Sequence, residues 1–447
     1  MDNTDNELSP FDNPQLDLDW SNLTALIDEF GSLIHLKKLK LSVDKQRILW
    51  FKDIIHHLPN LQELDLSDCY SLTGIPKCIV QLTHLTHLNL SNCSNLSELP
   101  ENIGQATNLN ILNLSECESL KQLPDSIGEL KNLKQLNLRW CRNLIQLPES
   151  ICELSKLERL DLHSCNLLST LPKKIGNLPK LTDLILSQCY NLIQLPESIS
   201  QLKTLEILDL GDLHALPIPI DIIYQLPHLQ ELNLSIDNQT TDKISYLFNK
   251  LLHQPRRLYL SHSYKLTEFP NSIDKLQTLD SLSLYDIRSL KNLPENIGKL
   301  HKLKQLTLDG VQQLTALPAS LCELTQLEQL TIRQAWELTH LPENLKQLKN
   351  IKYLNLDGLH RITHLPDDIG HLHHLEKLTL TDSQIIRLPE SIAELPNLQE
   401  LDLSYCSNLS YLPKNLGKNQ PLQLLKLTRC LQVVQLPESI DRNIISR

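Results

Sequence analysis

LNILNLSECESLKQLPDSIGELKN, residues 109–132, is one copy of a pattern that recurs along almost all of the 447-residue chain. Its opening motif, LxxLxL, begins again every 24 residues over most of the chain, and a fixed period of this size is the signature of stacked structural repeats. A frame of this regularity is not kept by chance, so the sequence predicts one small packing unit copied many times. The seventeen copies begin at Leu36, Leu61, Leu85, Leu109, Leu133, Leu157, Leu181, Leu205, Leu229, Pro255, Leu279, Leu303, Leu327, Ile351, Leu375, Leu398 and Leu422.

Within this copy, the order of residues predicts a strand, a turn and a short helical turn. Leu112 and Leu114 alternate with polar residues, which is typical of a strand with one buried face. Cys117 follows where the chain must turn, and its S–H group can reach a backbone carbonyl of a neighbouring coil. Pro124 opens the helical turn, where its missing N–H costs nothing, and Asp125 complements the helix N-terminus. The chain then returns to another strand, which must be parallel to the first.

The predicted fold is therefore an α/β solenoid of about seventeen coils, with a parallel concave sheet and short helical turns on the convex side. Residues 1–35 are predicted to form a loosely ordered start (1–15) and a capping helix whose N-cap is Ser21. Residues 36–447 form the solenoid, with a longer helix over Arg47–Leu58. The unit at 229–254 is irregular, and its apolar spacing predicts a true helix over Thr240–Leu252, with Thr240 or Thr241 as N-cap.

The full repeat pattern, LxxLxLSxCxxLxxLPxxIxxL, resembles the leucine-rich-repeat family over about residues 36–440. This subtype is similar to the repeats of plant intracellular immune receptors and to repeat proteins that bacterial pathogens deliver into host cells. The resemblance implies a horseshoe fold and a role in binding. The chain lacks the GxxxxGK[ST] loop of the plant receptors' nucleotide-binding module, and its repeats run to Ile440 without a downstream ligase domain. Both departures favour a stand-alone binder.

Composition and motifs argue against several other functions. A net charge of −11 opposes binding to nucleic acid and to anionic membranes, and every apolar run is too short to span a bilayer. None of the motifs GxSxG, HExxH and GxGxxG occurs, so we expect neither an enzyme nor a cofactor. The histidines of HLHHL (His371, His373 and His374) fit a solvated loop better than a zinc site, and no metal is expected.

The cysteines indicate a reducing environment. Eight of the eleven occupy one position of the repeat, whereas disulfide scaffolds place cysteines at irregular spacing in short secreted chains. All eleven thiols are therefore predicted to be free. The chain is expected to be cytoplasmic, or, if bacterial, delivered into a host cytosol. The cysteines at the shared position are Cys69, Cys93, Cys117, Cys141, Cys165, Cys189, Cys406 and Cys430.

Candidate binding residues are those that break the small, polar pattern of the concave face, such as its column of Asn89, Asn113 and Asn137. Interface anchors are enriched in Trp, Tyr and Arg, although tolerated surface variation is the competing interpretation for each group. Arg139 and Arg159, beside Trp140, would suit an acidic or phosphorylated patch on a partner. The first group is Ile111, Arg139, Trp140, Arg159 and His163, and the second is Ile207, Ile236, Arg257, Tyr259, His262 and Tyr285.

Two functions fit these observations. The first is a monomeric protein-recognition scaffold that binds a protein partner on its concave face, as a bacterial effector acting on a host protein would. The second is a substrate-recognition adaptor for a separate enzyme such as a ubiquitin ligase. An adaptor needs an enzyme-recruiting segment outside the repeats, and residues 1–35 contain no recognisable one. The sequence therefore favours the scaffold.

Overall fold

The computed structural model describes residues 15–31, 33–43, 46–237, 239–251, 255–418, 421–433 and 435–446. The chain divides into two compact units, Met1–Leu229 and Gln230–Arg447. The predicted boundary at residue 35 stays a prediction. Most of the segment expected to be loosely ordered, residues 1–14, lies outside the described residues.

The first unit is built on a parallel sheet in which each strand pairs with the next strand along the chain. Leu112 pairs with Leu136, 24 residues later, so the repeat period is also the register of the sheet. The described strands are β1 (Gln15–Asp19), β2 (Lys38–Ser42), β3 (Glu63–Asp65), β4 (His87–Asn89), β5 (Ile111–Asn113), β6 (Gln135–Asn137), β7 (Arg159–Asp161), β8 (Asp183–Ile185) and β9 (Ile207–Leu210).

The second unit repeats this arrangement with longer strands at its start. Leu258 pairs with Leu282, again 24 residues later. The prediction of a parallel sheet with short helical turns is confirmed within each unit. The described strands are β10 (Glu231–Ser235), β11 (Arg257–Ser261), β12 (Ser281–Tyr285), β13 (Gln305–Asp309), β14 (Gln329–Arg333), β15 (Tyr353–Asn355), β16 (Lys377–Thr379), β17 (Glu400–Asp402), β18 (Leu424–Lys426) and β19 (Ile445–Ser446).

The helical turns between strands are mostly 3₁₀ helices. A 3₁₀ helix completes a turn in three residues, which suits the brief return that each coil makes. In the first unit they span Arg47–Trp50, Ile55–His57, Lys77–Gln81, Ile103–Gln105, Asp125–Glu129, Glu149–Glu153, Ile175–Asn177 and Glu197–Gln201. In the second unit they span Asn271–Lys275, Glu295–Lys299, Ala319–Glu323, Leu345–Gln347, Asp367–His371, Glu390–Glu394 and Arg442–Ile444.

The leucine positions of the repeat form the core. In the coil at 109–132, Leu112, Leu114, Cys117 and Ile127 are all fully buried. Side chains on a strand alternate between faces, so two leucines two residues apart point to the same side. Each coil exposes this apolar set to its neighbours, and only stacking removes it from water.

The predicted capping helix is present, but it begins earlier than predicted. Helix α1 spans Trp20–Phe30, and its N-cap is Asp19, whose carboxylate accepts the N–H of Asn22 at 2.8 Å. Ser21 lies inside the helix, so its prediction as the cap is wrong. Asp19 is also the last residue of β1, a strand the sequence analysis did not predict.

The segment predicted as one helix over Arg47–Leu58 is broken into three pieces. A 3₁₀ helix at Arg47–Trp50 is followed by α2 (Phe51–Ile54) and by a second 3₁₀ helix at Ile55–His57. Ile48, Phe51, Ile54, Ile55 and Leu58 are buried, so all three pieces turn one apolar side toward the core. A further short helix, α3, spans Ile220–Ile223.

The helix predicted in the irregular unit is confirmed. Helix α4 spans Thr241–Lys250, with Thr240 at the N-cap position but without a capping bond from its side chain. Ile244, Leu247 and Phe248 are buried against the unit. Leu252, the last residue of the prediction, lies outside the described residues.

Candidate partner-binding surface

The outward side chains of the strands, together with the turn residues that directly follow each strand, form what we call the strand face. Its asparagine column is tied into the backbone. The Oδ1 atoms of Asn89, Asn113 and Asn137 accept the N–H groups two residues later, at 3.1, 3.1 and 3.0 Å. The Nδ2 atom of Asn113 also donates to Oδ1 of Asn89 on the previous strand, at 3.0 Å. These bonds close the turn at each strand exit. The column shapes the turns and leaves few free groups for a partner.

One residue in most of these turns adopts the left-handed backbone conformation. Its φ is 61° in Asp68, 59° in Asn92 and 64° in Trp140. At the same place in the second unit, Gly310 and Gly358 have φ of 72° and 69°. Glycine, asparagine and aspartate adopt this conformation more readily than bulky residues. Larger residues such as Glu116, Gln188 and Tyr405 also adopt it at this position, so Trp140 shares a conformation that costs it more than it costs glycine, asparagine or aspartate.

Two neighbours cover part of the Trp140 ring. The guanidinium carbon of Arg142 lies 4.8 Å from the ring centroid, and the ring of His163 on the next coil lies 6.3 Å away. The backbone N–H of Trp140 donates to the carbonyl of His163 at 2.7 Å. The side chain is half-buried. Only the uncovered part of the indole is open to a partner.

The two arginines predicted to meet an acidic patch differ in their surroundings. Arg139 is exposed, and its side chain contacts no carboxylate in the part of the chain that the structure describes. Arg159 pairs with Asp161 at 3.1 Å and with Asp183 at 2.9 Å. Burial lowers the pKa of Arg159, but the two carboxylates outweigh burial and hold it above its ordinary value. These two carboxylates already compensate the charge of Arg159, which argues against its attracting an acidic partner, and its role as a contact stays a prediction.

His163 belongs to a hydrogen-bonded network on the strand face. Its Nδ1 atom lies 2.8 Å from the hydroxyl of Ser187, which donates to Asp209 at 2.7 Å. Burial, and then the charge of Arg139, lower the pKa of His163 below its ordinary value. His163 is therefore neutral near pH 7. It supports the ring of Trp140 without adding a positive charge.

Ile111 lies on β5, next to β6, where it is opposite Gln135 at the start of the strand that leads to Trp140. It is half-exposed on β5 and lines a shallow depression of about 390 Å³ on the strand face, together with His87, Asn89 and Asn113. This depression is mixed in charge, because Lys38 pairs with Glu63 at 2.9 Å on its rim.

The second predicted group divides between the two units, and one member is wrong. Ile207 lies half-buried on β9 of the first unit, whereas the other five residues belong to the second unit. Ile236 is 0% exposed. Leu232 and Leu234 point into the core, and Ile236 continues that alternation by two residues. It is a core residue and contacts no partner.

Arg257, Tyr259, His262 and Tyr285 lie on adjacent coils of the second unit. Arg257 pairs with Glu231 at 2.9 Å. The rings of His262 and Tyr285 meet edge to face at 5.9 Å, and Tyr285 is exposed. Burial, and then the nearby Glu231 charge, raise the pKa of Tyr259. These four residues form an aromatic surface on which Tyr285 is the most accessible ring.

Several exposed apolar and aromatic residues were not predicted as contacts. Trp336 stacks on His360, with ring planes 8° apart and centroids at 6.0 Å. Tyr405 has a φ of 64°, and Arg429 lies over its ring at 5.6 Å. The contrast with small residues elsewhere that singled out Trp140 would also have found these two. In the first unit Ile145, Leu167, Tyr190 and Ile193 are also exposed.

The histidine cluster does not form a metal site within the described residues. The rings of His371 and His373 are 6.4 Å apart, while His374 Nδ1 lies 2.7 Å from the carbonyl of Lys349. Across the described ranges there is no group of three or more His, Cys, Asp or Glu side chains placed to hold a metal ion. Nor does any described helix have the length and apolar character needed to cross a membrane.

Comparison with known proteins agrees with this architecture. A family model described as a leucine-rich repeat region matches residues 16–140, 77–166, 111–258 and 337–442. Among curated proteins, none matches the chain in sequence.

Solved structures share the fold. A leucine-rich-repeat protein of Leptospira interrogans is 28% identical, with a TM-score of 0.52, over 96% of this chain and 95% of that chain. TLR13, solved in complex with ssRNA13, is 19% identical with a TM-score of 0.59, over 91% of this chain and 67% of that chain, and shows the fold alone. The leucine-rich repeat domain of the type III effector XopL is 28% identical, with a TM-score of 0.40, over 46% of this chain and 81% of that domain.

Proposed function

This chain belongs to the leucine-rich-repeat family, and from that premise we propose that it is a protein-recognition scaffold whose partner binds the strand face of the first unit around Trp140. The fold is consistent with such a scaffold, and the proposal includes no catalytic step and no cofactor. Within it, Arg139 and the uncovered part of the Trp140 ring are the principal contacts. Ile111 and Ile207 extend the surface along the same sheet.

The observation that carries this proposal is the backbone conformation of Trp140. A tryptophan with a φ of 64° bears more strain than a glycine, asparagine or aspartate would, and the adjacent coils have Glu116 and Ser164 at this position. Strained residues persist where function requires them, and they concentrate at binding sites. A tryptophan that folding alone does not require, and whose ring is partly open to solvent, is well suited to anchor a partner.

The aromatic surface of the second unit is proposed as a separate contact. Tyr285 offers an exposed ring, His262 packs beside it, and Tyr259 lies on the neighbouring strand opposite Ser283. Arg257 is held by Glu231 and serves to order this surface rather than to attract an anion. Tyr285→Ala tests this contact independently of Trp140.

The experiment is affinity capture with the full chain from a eukaryotic lysate, comparing wild type with Trp140→Asn. Asparagine adopts the left-handed conformation without difficulty, so the lost ring contacts are partly offset by relief of about 1 kcal/mol of strain. We expect the captured proteins to be lost with Trp140→Asn and the thermal midpoint to change little. Gln334→Asn, at the equivalent turn position of the second unit, is the control and should retain them.

The opposite pattern would contradict this function. If Trp140→Asn lowers the thermal midpoint strongly and still captures the same proteins, Trp140 is a packing residue and the partner binds elsewhere.

We place this activity in a reducing compartment, as the cytoplasmic expectation requires. The eleven cysteines are all unpaired in the structure. Thiol titration of the denatured protein, purified without reductant, should approach eleven groups per chain. A count lower by several pairs would argue against a cytoplasmic location.

A further inference from the structure

Three successive strand-exit loops of the first unit contain no acidic residue. They comprise residues 139–148, 163–172 and 187–196, and we call them the acid-free loops. The equivalent loops of the coils on either side all contain acids: Asp68, Glu98, Glu116, Glu118 and Asp212. In a chain with a net charge of −11, the lack of acidic side chains in the loops of three adjacent coils is a local change of surface charge.

The same loops expose large apolar side chains. Ile145, Leu167 and Ile193 are 50%, 43% and 59% exposed, and Tyr190 is exposed beside them. The places equivalent to Ile145 and Ile193 hold Thr73, Ser97 and Lys121 on the earlier coils. Contiguous exposed apolar surface rimmed by polar residues marks interaction sites on soluble proteins. The row is therefore a candidate docking surface distinct from the strand positions.

Backbone hydrogen bonds join each of these loops to the loop of the previous coil. The N–H of Leu167 donates to the carbonyl of Arg142 at 3.3 Å, and the N–H of Ile145 donates to the carbonyl of Lys121 at 3.0 Å. Neighbouring parallel strands are about 4.8 Å apart, so Ile145 and Ile193, two coils apart, are separated by roughly 10 Å. An extended segment of a few residues spans that distance.

Two arginines, Arg139 and Arg142, lie at one end of this row, and Glu118 of the previous coil lies beside Arg142. Arg139 has no carboxylate contact among the described residues, and Arg142 is only 3.7 Å from Glu118, with both side chains about half exposed. An exposed ion pair of this length contributes little. Both guanidinium groups are therefore available to a carboxylate, which they can bind in a bidentate fashion.

We propose that the acid-free loops bind a segment of a protein partner that combines apolar side chains with one or two carboxylates. The apolar side chains cover Ile145, Leu167 and Ile193, and the carboxylates meet Arg139 and Arg142. This inference rests on the proposed function and specifies the chemistry of the partner. The remaining acidic surface of the chain disfavours other placements of the same segment, because like charges repel.

Selection from a display library of random peptides against the full chain tests this inference. The enriched peptides should combine Leu, Ile, Phe or Trp with Asp or Glu. Ile145→Ser and Ile193→Ser should each weaken binding of an enriched peptide by about tenfold or more. Arg139→Glu combined with Arg142→Glu should abolish its binding and select basic peptides instead.

A matched control is available in the second unit. Ile386 is 41% exposed, and its N–H donates to the carbonyl of Thr363 at 3.0 Å, just as Ile145 bonds to Lys121. Ile386→Ser should leave peptide binding unchanged. The thermal midpoint of each variant shows whether it has folded.

Several outcomes would overturn the inference. These are the absence of any enriched peptide, enrichment of basic peptides by wild type, or unchanged binding to the two isoleucine variants. Binding of single-stranded oligonucleotides in place of peptides, or a dimer that Ile193→Ser dissociates, would assign the loops to a different occupant.

The proposed function and this inference can fail separately. If Trp140→Asn abolishes peptide binding while the isoleucine variants retain it, the strand-face site stands and the loop site falls. If the isoleucine variants lose binding while Trp140→Asn retains it, the loops bind the partner and Trp140 does not.

Discussion

At the residue scale, the cysteines at the shared repeat position pack in the core and also donate a hydrogen bond to a backbone carbonyl. The thiol of Cys117 is fully buried and donates to the carbonyl of Leu90 on the previous coil at 3.2 Å. Ser383 occupies the equivalent position in the second unit, and its hydroxyl donates to the carbonyl of Leu356 at 3.1 Å. The bond to a neighbouring carbonyl predicted for Cys117 is therefore confirmed, while other coils have an apolar residue at this position, such as Ile287 and Val311.

Titration of the Cys117 thiol makes the free energy of unfolding depend on pH in the alkaline range. Burial raises the pKa of Cys117 from its ordinary value of 9.0 to about 12. The unfolded thiol therefore loses its proton before the folded one does. Below about pH 9 this difference in pKa does not change the free energy of unfolding. As pH rises from about 9 to about 12, the free energy of unfolding falls by about 1.4 kcal/mol per pH unit.

Cys117→Ser should reduce that alkaline loss, because serine keeps the donor but does not titrate in this range. We expect the unfolding free energies of wild type and variant to converge as pH rises from neutral to about 10. Urea unfolding at several pH values measures this. Parallel curves would show that Cys117 does not bind its proton more tightly in the folded state.

At the element scale, glycine in one 3₁₀ helix is matched by serine in the next. A Cβ added to Gly128 would overlap the backbone carbonyl of Ser150 on the following coil. The two helices thus approach so closely that only glycine fits at this position. The same glycine-to-serine contacts join Gly104 to Ser126, Gly128 to Ser150, Gly176 to Ser198, Gly298 to Ser320 and Gly370 to Ser391.

Where a larger residue replaces the glycine, the next 3₁₀ helix can be shorter. Val80, Cys152 and Cys322 precede helices of three residues, Ile103–Gln105, Ile175–Asn177 and Leu345–Gln347. The helices after the glycines listed above have five residues, as in Glu149–Glu153. Asp274 and Lys346 are followed by full five-residue helices, so the polar replacements do not follow this pattern.

Gly128→Ala should therefore destabilise the protein by about 1–3 kcal/mol, as overpacking of a close contact does. Gly74→Ala is the matched control, because the nearest atom to its added Cβ is 3.9 Å away. Chemical unfolding of both variants gives the comparison. Equal midpoints for the two would mean that the helices separate without cost.

Phe248→Ala should destabilise the protein by about 3–5 kcal/mol, because a large buried ring leaves a cavity. Phe248 is 0% exposed and its ring lies 5.7 Å from that of Phe269. Tyr246→Ala, on the exposed side of the same helix, should change the midpoint much less. A midpoint for Phe248→Ala equal to that of wild type would contradict the burial.

The periodic elements of this fold were predictable, and the exceptions were not. Every strand of the repeat follows from LxxLxL, because alternation fixes which face is buried. Strand β1 was missed even though Leu16 and Leu18 alternate there, since it lies outside the repeat frame. Ile236 was placed on the wrong face because β10 is longer than the three-residue strands of most other coils, and one more residue of alternation sends it inward. Ion pairs such as Arg159–Asp183 link coils 24 residues apart, and residue type alone does not reveal them.

At the scale of the whole molecule, we expect a monomer of 51.2 kDa. The first described strand, β1, carries Asp17 and Asp19, and like charges on an edge strand oppose pairing with a second copy. Strand β19, in the second unit, has only two residues and offers little edge. Light scattering over a range of concentrations checks the mass. A stable dimer would show that another surface joins two copies.

The 24-residue register has a consequence for how such a gene can change. Cys93, Cys117 and Cys141 each bond to the carbonyl 27 residues earlier, so these coils make the same contact with their predecessors. Recombination that deletes or duplicates a whole coil within one unit rejoins equivalent donors and acceptors. The coil at 375–397 has 23 residues and its strand still pairs in register with the next strand. The loss of one codon in a loop therefore also leaves the register unchanged. Copy number can therefore drift by whole coils, which changes the length of the sheet while the hydrogen bonds between coils are preserved.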